Sequence, residues 1–198
     1  KRSLTIREKA LGPDDSSTAI ALNNLGSIYI KIGAYDKAEI FLQRSLAIRE
    51  KKLGREHLET AQSLNNLAEL YRTTGIFDKA ELLFKRSLAI YEKGLGPEHP
   101  DTALSLNNLA LLYSKMSAYD KAEPLFRRAI AISEKALGSE HPSIALPLNN
   151  LALLYRTMGI YDKAEPLYRR SLAINEKALG PEHPDTALSL NNLAELYM

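Results

Sequence analysis

A block reading Leu-Asn-Asn-Leu begins at Leu22, Leu64, Leu106, Leu148 and Leu190, always 42 residues apart, so the chain is one short unit written almost five times. The stretch from Gly96 to Ala110 returns letter for letter from Gly180 to Ala194. Periodicity of this length marks a solenoid, in which each unit buries its apolar face only against its neighbours. Near-identical units leave little room for one site built from unlike residues. Function is therefore expected to spread along a surface.

Each unit reads as two helices. From Leu58 to Thr74 the apolar residues Ala61, Leu64, Leu67, Ala68 and Tyr71 fall at three- and four-residue spacing, the pattern of an amphipathic helix, and Gly75 closes it. We term this helix A. A second periodic stretch, Phe77 to Leu95, carries Ala80, Leu83, Phe84, Leu88 and Tyr91 and ends at Gly96-Pro97. This is helix B. Small residues mark close helix contacts: Gly26, Ala68, Ala110, Ala152 and Ala194 in helix A, and Ala38, Ala80, Ala122 and Ala164 in helix B. Acid-then-base pairs four residues apart, such as Glu81 with Lys85, Glu123 with Arg127 and Glu165 with Arg169, mark the solvated face of helix B. Pro124, Pro147 and Pro166 fall past the first turn of their predicted helices, so each is expected to bend its helix or shift its start.

The fold expected is all-α: a right-handed superhelical solenoid of antiparallel helix pairs forming a single domain over 1–198. Its divisions are a half repeat 1–14, full repeats 15–56, 57–98, 99–140 and 141–182, and a half repeat 183–198. Composition excludes several classes. No apolar run approaches the roughly 20 residues that span a bilayer. The absence of cysteine rules out disulfides and thiolate metal sites. A net charge of +2 with interleaved signs argues against a phosphate-binding stripe, so neither membrane nor nucleic acid is an expected partner. A cytoplasmic location fits these features.

The pattern Leu64-x2-Leu67-Ala68-x2-Tyr71 followed by Ala80-x3-Phe84 resembles the tetratricopeptide repeat (TPR), with Leu in place of the first aromatic residue. The ordinary period is about 34 residues, and roughly eight more lengthen this unit through Leu95–Thr102. That longer form, with Leu-Asn-Asn-Leu-Ala and Ala-Glu-Pro-Leu, is similar to the repeats of kinesin light chains and bacterial arrays of the same type. The resemblance covers the whole chain. It implies a scaffold that binds other proteins, with the A helices lining the concave groove, and the same scaffold serves unrelated partners. No kinesin-binding coiled coil accompanies the repeats, so a motor-adaptor role does not follow.

A helical wheel at about 100° per residue, with Leu64, Leu67 and Tyr71 fixing the core direction, gives the opposite face of helix A. There lie Asn24, Asn66, Asn108, Asn150 and Asn192, a ladder of amides able to clasp the backbone of an extended peptide. Leu104, Leu111, Leu146 and Leu153 place apolar surface beside them, and Glu69 adds a carboxylate. Arg72, Arg156, Lys31 and Lys115 stand near the helix ends, where they could select acidic groups. The expected ligand is an extended, partly apolar, mildly acidic peptide. Plainer readings stay open: the four leucines pack against the neighbouring A helix, the basic residues are solvated helix ends, and the first asparagines, Asn23 to Asn191, bridge adjacent helices.

His57, His99, His141 and His183 come one per repeat, too far apart to share a metal ion, and read as packing of the loops between repeats. Tyr29, Tyr71, Tyr113, Tyr155 and Tyr197 read as core with the hydroxyl at its edge. No cofactor is implied. The leading function is a non-catalytic protein-interaction scaffold. Self-association is the alternative, because Leu4, Ile6 and Leu11 at one end and Leu190, Leu193 and Tyr197 at the other are expected to lack a covering repeat, so head-to-tail stacking or exchange of terminal helices would bury them. An enzyme is not expected: every recurring polar group does so at 42-residue spacing, too far apart to converge.

Overall fold

The computed structural model describes the backbone of residues 2–197 and the side chains of residues 4–197; Met198, which the sequence assigns to the last helix, lies outside them. Every regular element among these residues is helical, and the helices fall into two compact units that divide between Pro97 and Glu98. The first unit holds α1 (Arg2–Leu11), α2 (Ser16–Lys31), α3 (Tyr35–Leu53), α4 (Leu58–Thr73) and α5 (Phe77–Leu95). The second holds α6 (Pro100–Lys115), α7 (Tyr119–Leu137), a 3₁₀ turn (Pro142–Ile144), α8 (Ala145–Thr157), α9 (Tyr161–Leu179) and α10 (Pro184–Ala194). Even-numbered helices are A helices and odd-numbered ones B helices.

Within each unit every helix packs on its sequence neighbours, and consecutive A helices also touch, α2 with α4 and α6 with α8. The core lies between A and B helices: Leu22 and Leu42, Leu64 and Phe84, Leu106 and Phe126, and Leu148 with Tyr168 are all buried. A recurring bond ties each pair together, in which a B-helix serine donates to an A-helix carbonyl: Ser45 to Ala19, Ser87 to Ala61 and Ser171 to Ala145, each at 2.8 Å.

The turn from A to B is set by one backbone conformation. Gly33, Gly75 and Gly159 take φ between 74° and 78°, and the residue after each donates back to the tyrosine carbonyl five residues earlier, as Ile76 does to Tyr71 at 2.8 Å. Ser117 adopts the same turn at φ 57°, where a β-carbon is disfavoured. The histidines turn out to be helix caps. Nδ1 of His57, His99, His141 and His183 accepts from the backbone N–H two residues on, at 3.1 to 3.3 Å, and Asp15 does the same for α2 at 2.8 Å.

The prolines act in two ways. Pro147 shifts the start of α8 to Ala145, behind the 3₁₀ turn, so that the proline falls in the first turn where no N–H is needed. Pro124 and Pro166 instead stay inside full-length α7 and α9, exposed on the outer face. The first turns of those helices tighten: Lys121 bonds to Ala118 and Lys163 to Ile160 three residues back.

Candidate functional site

The A-helix face opposite the core carries Leu104, Leu146 and Leu188 in the second unit, one repeat apart, and they remain 55%, 56% and 54% exposed. Two cavities open between them. The first, about 190 Å³, lies between Leu104 of α6 and Leu146 of α8, walled by Ser133 and Leu137 of α7. The second, about 380 Å³, lies between Leu146 and Leu188 of α10, walled by Asn175 and Leu179 of α9. A shift of one repeat superposes nearly all of one lining on the other, with Asn107 matching Asn149 and Leu137 matching Leu179. These are two copies of one pocket, sharing Leu146 as the wall between them.

The corresponding place in the first unit is closed. Arg49, at the position of Ser133 and Asn175, is 2% exposed and donates to the Glu59 carbonyl at 2.6 Å, to Ser63 at 3.0 Å and to Gln62 at 3.1 Å. Burial lowers its pKa, opposed by the Glu59 carboxylate at 3.5 Å. Where Leu146 divides the open pockets, the first unit has Gln62 bonded to Arg49. Ser133 is too short to bridge from α7 to α8 as Arg49 does from α3 to α4; Asn175 makes the equivalent bonds, to the Asp185 carbonyl at 3.4 Å and to Ser189 at 3.0 Å, but lacks the bulk of an arginine and leaves the second pocket beside them. The signal was present in the sequence as variation at one position, Arg49, Tyr91, Ser133 and Asn175, within otherwise near-identical repeats.

The asparagine pairs are arranged differently from the expectation. Asn150 is 8% exposed and donates to Oδ1 of Asn107 at 3.0 Å, and half-buried Asn192 donates to Asn149 at 2.8 Å. In both cases the second asparagine of one pair ties back to the first asparagine of the preceding A helix. The residues lining the pockets are therefore Asn107 and Asn149, because neighbouring A helices approach closely enough to satisfy the second amide internally. Asn66 and Asn108 are half-buried, and Asn24 is exposed beside Ile20 and Ile28. Leu111 and Leu153 are half-buried, unlike Leu104 and Leu146.

The arginines expected to select acidic groups have partners of their own. Arg72 grips Glu69 through two bonds of 2.5 and 2.8 Å, and Arg156 bonds Glu195, just beyond α10. These hydrogen bonds raise both arginine pKa values against the opposing effect of burial. Lys31 and Lys115 are exposed. The pocket walls carry one charge each, Asp101 in the first and Asp185 in the second, and no basic residue.

Of the residues expected to lie uncovered, Leu4 is instead buried, packed with Ala19, Leu22 and Ile48, because α1 still has α2 and α3 to lie against. Leu193 is half-buried, and Ile6, Leu11, Leu190 and Tyr197 are exposed. The tyrosine hydroxyls link repeats: Tyr71 donates to Glu39 at 2.7 Å, Tyr155 to Glu123 at 2.6 Å and Tyr197 to Glu165 at 2.7 Å. Among the described residues no cluster of three metal-ligating side chains occurs, and no helix is long and apolar enough to cross a membrane.

A family model described as tetratricopeptide repeat matches the sequence in overlapping segments, residues 1–51, 33–93, 77–135, 101–177 and 143–198. The chain belongs to the tetratricopeptide repeat family. Solved structures similar to it include TPR proteins of the kinesin light chain type. One, from Podosopora anserina and described as a kinesin light chain with nearly identical TPR-like repeats, is 32% identical at a TM-score of 0.76, covering 92% of this chain and 87% of that one. A single-substitution variant of the same protein matches at the same identity and TM-score, covering 92% of this chain and 86% of that one. BtubC (BKLC) from P. vanneervenii is similar in fold, at a TM-score of 0.80 and 24% identity, covering 99% of this chain and 78% of that one. No curated relative matches the sequence. The TPR solenoid is generally a protein-interaction scaffold without catalytic chemistry of its own.

Proposed function

We propose that this TPR chain is a non-catalytic scaffold that binds an extended segment of a partner protein across its A helices, with the pair of pockets flanking Leu146 as the principal site. The observation that carries the reading is the duplication of one apolar pocket at successive repeats, walled by leucines more than half exposed. Exposed apolar surface lining concave pockets costs free energy in water and is recovered on burial, at about 25 cal/mol per Å². Two pockets in a row suit a ligand that is itself linear.

The test is a randomised peptide display against the full chain, counter-screened with Leu146→Gln. Leu146 is 56% exposed, so this change should leave thermal unfolding unaltered. Enriched peptides that lose binding to the variant support the reading. Enriched peptides that bind both proteins equally place the interaction elsewhere and overturn it.

A further inference from the structure

Granted that groove, we propose that its occupant is a polyproline-type segment carrying apolar side chains at positions i and i+3 and basic residues on either side of them.

The spacing comes from the helices. The amide of Asn150 reaches Asn107 at 3.0 Å, so α6 and α8 are packed neighbours, and axes of packed helices lie about 8–10 Å apart. Successive pockets repeat at that interval. A polyproline II chain advances about 3.1 Å per residue with three residues per turn, so side chains about 9 Å apart project from the same side. A β-strand presents the same face about every 6.7 Å, and its next equivalent side chain lies about 13 Å away, which fits neither one pocket nor two.

Hydrogen bonding agrees with the spacing. Nδ2 of Asn107, which borders the first pocket, is buried without a partner among the described residues, while Oδ1 is taken by Asn150. A donor left over asks for an acceptor, and polyproline II carbonyls form no internal hydrogen bonds. Charge sets the flanks. Asp101 stands on the α6 wall of the first pocket and Asp185 on the α10 wall of the second, so a segment filling both meets a carboxylate at each end. No cation lines these walls to offset them. An acidic ligand is disfavoured and a basic one attracted.

The experiment titrates the full chain with the labelled peptide Arg-Pro-Leu-Pro-Pro-Leu-Pro-Arg, following fluorescence anisotropy. Two control peptides have the leucines moved two or four apart, and a third has both arginines replaced by glutamate. The proposal expects the first peptide to bind about tenfold or more tightly than each control, to weaken as salt rises, and to lose about tenfold on Leu146→Gln and on the double change Asp101→Asn with Asp185→Asn. If a control binds as well as the first peptide while Leu146→Gln still abolishes binding, this inference falls and the groove stands. If no peptide binds, or binding ignores Leu146→Gln, the inference and the groove reading fall together.

Discussion

The side-chain amide of Asn150 donates to Oδ1 of Asn107 across adjacent A helices, and both residues are almost completely buried. A hydrogen bond between amides in that position fixes the register of one repeat on the next, because a slip would bury unpaired polar atoms. Asn150→Ala should therefore cost about 1–3 kcal/mol, since it leaves the Asn107 oxygen buried without a donor. The change at half-buried Asn192 should cost less. Urea unfolding of both variants measures the difference.

Gly26 stands where the other repeats have alanine, and a β-carbon there would meet Cγ and Cδ2 of Leu42 at 2.4 and 2.6 Å. The partner position is Phe84, Phe126 or Tyr168 in the repeats that carry alanine. A branched leucine fills space that a flat ring leaves free. Gly26→Ala should destabilise by about 1–3 kcal/mol through overpacking, and adding Leu42→Phe should recover most of it. A double-mutant cycle reads the coupling directly.

Ser117 holds the left-handed turn conformation that glycine holds at the equivalent sites. Ser117→Gly should raise stability by about 1 kcal/mol by removing the β-carbon penalty. Thermal unfolding of the variant should show a higher midpoint with unchanged helicity.

His57 caps α4 through Nδ1 at 3.2 Å, while Asp15 caps α2 at a shorter 2.8 Å. His57→Ala should lose about 1 kcal/mol, and His57→Asp should retain or exceed wild-type stability. Circular dichroism through a denaturant titration distinguishes the three proteins.

The Tyr155 hydroxyl, ahead of burial and the Arg127 guanidinium, is the largest influence on Glu123, and the net effect holds its pKa below the ordinary carboxylate value. Because the folded pKa is depressed, the contact stabilises the protein above the unfolded glutamate pKa of about 4.3 and is lost as pH falls through the lower folded value. Glu123→Gln should thus be less stable than wild type at neutral pH, with the gap closing at acid pH. Urea midpoints followed from neutral pH down into the acid range test the sign.

Periodicity alone revealed much of the fold. The spacing from Phe77 to Leu95 predicts α5 residue for residue, and α4 ends one residue before the predicted Thr74. Capping by His57 was hidden because a lone histidine carries no positional signal, although Asp15 at the same register pointed to it. A helical wheel gives the direction of Asn150 from its own axis and nothing about the neighbouring helix, so the bond to Asn107 was invisible to it. Glu69 lies three residues before Arg72, and that pairing could have been read from the sequence; Glu195 reaches Arg156 only through the stacking of α8 and α10. The first pocket is left open where Ser133 is too short to make the bonds of Arg49, a difference that acquires meaning only once α7 and α8 are placed together.

Partner segments are expected to lie across Leu104, Leu146 and Leu188. Methyl NMR of the leucine-labelled chain, titrated with the basic proline-rich peptide described above, tests that placement most directly. Concentration-dependent shifts are expected at those three leucines, with none at Leu82 on the exposed outer face of α5. Shifts at Leu82 with Leu146 unmoved would contradict that placement.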